Sequence, residues 1–159
     1  DAHRRLAYED ENIFTVASFG AELMEDKIHN SPSGCDLIGE RMAATVLSKH
    51  YGFSCSCNTP IAESASLKNE NEIEVVFNKE TYFVSDNVNN RAFDFKIIDE
   101  KGEAEIKEIT LKRNIALLKA ERPILGNATV YGCYGSNPKR EIPKDMLSGI
   151  SMAAFMLEA

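Results

Sequence analysis

Tryptophan is absent, and proline and glycine are sparse, with 5 and 9 in 159 residues. That excludes a collagen-like repeat and a low-complexity linker. Long apolar runs are missing too: nothing approaches the roughly 18 to 20 apolar residues of a membrane-crossing helix. The chain opens on Asp1 and not on methionine, so the expectation is a processed or trimmed product whose precursor has room for a signal or a membrane anchor. Catalytic signatures are also lacking. There is no G-x-S-x-G, no phosphate-cradling glycine loop, no H-E-x-x-H, no calcium-binding EF-hand loop and no C-x-x-C. The three histidines, His3, His29 and His50, sit near the terminus or at expected helix ends. The expectation is a non-catalytic protein without cofactor or metal.

Positive charge is in short supply as well. Lys plus Arg number 18 against 25 Asp plus Glu, a net of −7. Such a chain is repelled by nucleic acid and by anionic lipid. The imbalance is uneven: residues 1–100 carry a net of −9 and residues 101–159 a net of +2. If those sections form opposite faces, copies can stack head to tail, with Lys139, Arg140 and Lys144 as basic contact residues.

What is present suits a globular protein. The hydrophobic fraction of 43% and charged fraction of 27% are ordinary, and the length fits one domain over residues 1–159. Apolar residues three or four apart predict a helix from Tyr8 to His29 (Ile13, Ala17, Met24, Ile28). A second is predicted from Asp36 to Tyr51, with Ser33 as cap, Ile38, Met42, Val46, Leu47 and Tyr51 turned inward, and Gly52 ending it. An irregular connection follows over Phe53–Leu67. Alternation then predicts strands: Ile73, Val75 and Phe77; Thr81–Val84; and Phe93, Phe95 and Ile97, with Asp94 and Lys96 on the wet side. Ala104 and Ile106 are out of phase with Ile109 and Leu111, which predicts a bulge near Lys107 and Glu108. Ile115–Ala120 fits helix or strand alike, Ala128–Tyr134 reads as the last strand, and Pro143 opens a closing helix. The predicted class is α+β: two N-terminal helices, an antiparallel meander of four to five strands, and a C-terminal helix on the same sheet.

Four cysteines, Cys35, Cys55, Cys57 and Cys133, form an even and widely spaced set that suits two disulfides in an oxidising compartment. Cys55 and Cys57 are too close in sequence to pair in a strand. The candidate pairings are therefore 35–55 with 57–133, or 35–57 with 55–133. His50, Cys55 and Cys57 lie close enough to suggest zinc, but C-x-C is a weak match to zinc-site spacing. Asp86, Asn87, Asn89 and Asn90 make an oxygen-rich loop, read as a solvated turn, and Asn127-Ala128-Thr129 is a glycosylation sequon.

In element order, an opening helix, a cysteine-bearing connection and a meander, the chain resembles the globular head of a type IV pilin. It is similar in the same way to an extracytoplasmic sensor domain held between membrane helices. The resemblance implies a structural or adhesive subunit outside the cytoplasm (periplasmic, extracellular or on the cell surface) that acts through protein partners or self-association. The alternatives are a ligand-binding sensor and a small secreted enzyme.

Overall fold

The computed structural model describes residues 2–84, 93–135 and 141–159, with the backbone alone for Tyr8. Two helices come first: α1 (Ala2–Glu9) and α2 (Pro32–Lys49). Eight strands follow: β1 (Ala62–Asn69), β2 (Glu72–Phe77), β3 (Phe95–Asp99), β4 (Gly102–Ala104), β5 (Ile106–Lys112), β6 (Ile115–Ala120), β7 (Thr129–Gly132) and β8 (Phe155–Glu158). They form two four-stranded sheets, β1-β2-β6-β5 and β4-β3-β7-β8, antiparallel throughout.

The class is therefore mostly β, and the predicted α+β layout is corrected. The sheets share one core. Ile73, Val75, Phe77, Ile109 and Leu118 of the first meet Phe95, Ile97, Val130 and Phe155 of the second. Phe77 stands edge-on to Phe83 at 5.0 Å and to Phe155 at 5.9 Å, so one ring ties the two layers. The alternation expected for Ile73–Phe77 and for Phe95 and Ile97 is present, but these side chains point at the opposing sheet and not at helices. Asp94 and Lys96 are half-buried, and Lys96 Nζ lies 2.9 Å from Glu103 and 4.5 Å from the centre of the Tyr134 ring.

The order of strands is no meander. Pairs alternate between sheets: β1–β2 in the first, β3–β4 in the second, β5–β6 back in the first, β7–β8 in the second. The phase break near Lys107 marks two events. Between β4 and β5 the chain crosses from one sheet to the other through Glu105, and the β5–β6 register shifts between Ile106 and Glu108. Ile115–Ala120 resolves as a central strand. The strand expected over Thr81–Val84 reduces to one bridge, Phe83 with Arg113, and the irregular connection yields β1 from Ala62 onward.

Two predicted helices do not form, and aspartate-centred turns are the reason. Asp10 accepts from the Asn12 backbone at 2.9 Å, just beyond α1. Gly20 then adopts φ +85, and Asp26 accepts from the amides of Ile28 (2.9 Å) and His29 (3.0 Å) around Lys27 at φ 59. A side chain that binds nearby amides offers the backbone an alternative to the helix. At the other end, buried Asp145 accepts from Tyr82 (2.7 Å), Leu147 (3.1 Å) and Ser148 (2.7 Å). Gly149 follows at φ +68, and the chain runs into β8, not a closing helix. The pilin-like order of elements falls with the first of these helices and with the meander. Among the described residues no helix is long and apolar enough to cross a membrane.

Candidate functional site

Helix α2 has a sharply defined start. Ser31 caps it, its hydroxyl accepting from Gly34 N at 3.1 Å, and Pro32 opens the first turn. The capping residue is thus Ser31, two positions ahead of Ser33. Gly34 is indispensable to the docking of this end: a Cβ there would stand 2.3 Å from the Glu22 carbonyl oxygen. Ser31 and Ser33 both donate to the Glu22 carboxylate, which holds its pKa below the ordinary range. At the far end Lys49 lies in the last turn and Gly52 takes φ +72.

The helix faces the opposite way from the prediction. Its buried residues are Gly34, Arg41 and Thr45. Arg41, 9% exposed, donates to the carbonyls of Ala17 (2.7 Å) and Phe19 (2.8 Å), and burial lowers its pKa from the usual guanidinium value. Arg4 of α1 likewise reaches the Ala62 carbonyl at the start of β1, at 2.8 Å. Two buried guanidiniums thus help to fasten the helices, beside the half-buried Leu37, Ile38 and Ala44. Most of the side expected to point inward is in water: Met42 is 55% exposed, Val46 46%, Leu47 44% and Tyr51 64%, while Ile38 is half-buried. Phe53, just beyond, is 63% exposed.

Alongside α2 the segment Ile13–Thr15 separates two cavities. One, of about 320 Å³, lies between Leu6, Phe14, Ile38 and Met42, and all but Ile38 of these are exposed. The other, of about 150 Å³, is lined by Lys49, Cys57, Asn58, Thr59 and Asn78. There the Thr59 hydroxyl is buried without a hydrogen-bond partner. Asn78 anchors the wall, accepting from Ile61 N at 3.0 Å and donating to Asn58 Oδ1 at 3.1 Å. Among the described residues the two most strongly displaced pKa values are elsewhere. Asp99 is held far below the carboxylate range by its hydrogen bonds from Arg122, and burial drives the Cys133 thiol far up. Neither lines either cavity.

The four cysteines are free thiols, and neither expected pairing is formed. Cys35 is exposed near the start of α2, whereas Cys55 Sγ sits 3.1 Å from the Ala44 carbonyl. Nine helical residues separate those points, about 13 Å along the axis, against the 4.4–6.8 Å between Cα atoms that a disulfide bridges. Cys57 shares a cavity wall with Thr45, one residue further still. Cys133 is buried at the end of β7, in a left-handed conformation at φ 56. Among the described residues no three His, Cys, Asp or Glu side chains form a metal-binding group.

Of the basic trio, Lys144 is exposed, while Lys139 and Arg140 lie outside the described residues, as does the Asp86–Asn90 loop. Asn127 of the sequon is exposed. The charge imbalance between the two sections does not separate into faces, because each sheet takes strands from both.

Sequence reasoning missed the outward face of α2 and the Leu6–Phe14 groove. Leu37, Ile38, Met42, Val46 and Leu47 spread around much of the helix, so their spacing does not choose the inward side. The signals that do are Arg41, in phase with Thr45, and a glycine at position 39 of the helix interior.

No known protein family matches the sequence, and no curated protein matches it. Solved structures do resemble the chain in fold. The carbohydrate acetylesterase XAC1771 from Xanthomonas citri superposes with a TM-score of 0.61 at 15% identity, over 81% of this chain and 29% of that one. The N-terminal part of the bacterial S-layer protein SbsC (TM-score 0.47, 14% identity) is matched over 83% of this chain and 29% of that one. The S-layer protein rSbsC(31-844) (0.49, 14%) is matched over 81% and 16%. At 15% identity the likeness to the esterase is one of fold alone, and the chain spans less than a third of each of these proteins.

Proposed function

We propose that this chain is a non-catalytic contact module of an extracytoplasmic or cell-surface protein, in which a rigid β-sandwich presents the outward side of α2 to another protein. One observation carries the reading: the helix buries Arg41 and Thr45 and leaves Met42, Val46 and Leu47 in water. Grouped exposed apolar side chains, as distinct from scattered ones, mark interaction sites. Leu6 and Phe14 extend it across the neighbouring groove. Such a contact face supports a structural or adhesive role. The test is a photo-crosslinking amino acid at Leu47 in the cells that make the protein, combined with fractionation. A defined protein adduct in the envelope or outside the cell is expected. Failure of any adduct to form at Leu47 would contradict the reading.

The smaller cavity favours a second reading, a ligand-binding sensor. An unpartnered buried hydroxyl at Thr59 beside Lys49, Asn58 and Asn78 is the kind of polar convergence that small solutes use. A small hydroxylated solute that raises the melting temperature of the wild type but not of Lys49→Ala would support it.

A further inference from the structure

We propose that the partner on the α2 face is a second copy of this chain, with the two α2 helices antiparallel about a two-fold axis at Met42 and Ala43. The inference rests on the contact reading above and names the occupant. The outward stripe runs Cys35, Gly39, Met42, Ala43, Val46, His50, all exposed. In the antiparallel register centred between 42 and 43, Gly39 faces Val46 of the other copy and Ala43 faces Met42. Each bulky side chain then lies over a small one, as ridges into grooves require. Charge agrees. The first half of α2 carries Asp36 and Glu40 and the end carries Lys49 and His50, so antiparallel packing lays the acidic half of one helix alongside the basic end of the other. A parallel pairing would lay the two acidic halves side by side. Lys49 is 3.6 Å from Glu80 with its side chain 41% exposed, so it is accessible to a second acid. The helix dipoles also oppose in the antiparallel arrangement.

Gly39 supplies the independent observation. Glycine is a poor residue for a helix interior. Nothing lies within 4 Å of where its Cβ would stand, and its φ is not left-handed, so the fold of one chain does not call for glycine there. Close approach of a second helix does. The contact is isologous, one patch meeting itself, which is the commonest way for a chain to dimerise.

Sedimentation equilibrium of the full chain tests the proposal. The expected result is a monomer–dimer equilibrium that Gly39→Leu and Val46→Glu each weaken at least tenfold. Gly39→Ala keeps the test independent of folding, since it should raise the melting temperature while weakening association. In a Cys35→Ser background, Ala43→Cys should cross-link to itself on oxidation, because it lies at the axis. Gly39→Cys should not, since the two positions 39 are about seven residues apart along the helices, some 10 Å. A monomer at every concentration, a dimer indifferent to Gly39→Leu and Val46→Glu, or equal cross-linking at 39 and 43 would overturn self-pairing. If the adduct at Leu47 in cells is a different protein and the chain is monomeric, self-pairing falls and the contact reading stands. If Leu47 yields no adduct, the contact reading falls too.

Discussion

Asp99 and Arg122 show how single residues hold the second sheet together. Arg122 Nη1 and Nη2 reach the two Asp99 oxygens at 2.5 and 2.9 Å, and the amides of Lys101 and Leu125 add bonds at 2.9 Å each. These bonds hold the Asp99 pKa below its unfolded value. Its contribution is therefore complete above about pH 4, the unfolded carboxylate value, and fades as pH falls toward the native pKa. Asp99→Asn should melt below the wild type at neutral pH, and the gap should narrow on acidification below about pH 4. Melting curves from pH 7 to 2 check this, and a gap constant with pH would contradict it. The thiols offer a second check. Titration in denaturant without reductant should count four per chain. In the native protein Cys35, exposed, should be alkylated first, and Cys133, buried with its pKa raised, only on unfolding.

Among the elements, two glycines have opposite predicted effects for a stated reason. Gly132 of β7 faces Phe155 of β8, and a Cβ there would stand 2.3 Å from the Phe155 ring. Gly132→Ala should therefore destabilise by about 1–3 kcal/mol through overpacking. Gly39→Ala should stabilise the single chain by about 1 kcal/mol, the helix-propensity difference. Phe95→Ala, at 3% exposure, should cost about 3–5 kcal/mol in denaturant unfolding. Strands β2, β3, β5 and β7 are the legible part of the sequence, because a period of two survives wherever one face is buried, whereas β1 lies in the segment read as irregular and β8 in the one read as helix. Ile73, Val75 and Phe77 show it, and even the phase break at Lys107 is visible, though not that it includes a crossing between sheets. Helix reading fails where Asp10, Asp26 and Asp145 bind backbone amides two or three residues ahead, a competition that apolar spacing alone does not register.

At the scale of the whole molecule, the pairing of strands and the facing of helices are both out of reach of local pattern. Nothing within β2 states that it will lie between β1 and β6, because that neighbour arrives some forty residues later. The candidate site is concealed by the same limit. The stripe Ile38–Met42–Val46 is legible, but its assignment to the inside assumes that apolar residues decide a helix's orientation. Here Arg41 decides it, by finding the Ala17 and Phe19 carbonyls. That orientation is the central claim, since both the contact face and the self-pairing depend on it. The most direct measurement is thermal unfolding of the double variant Met42→Glu, Val46→Glu beside wild type, at a concentration where both are monomeric. With these side chains in water, stability should change by no more than about 1 kcal/mol, in line with two surface substitutions. A loss of several kcal/mol, as expected when carboxylates are forced into a core, would show that α2 packs with its apolar side inward and would contradict the account.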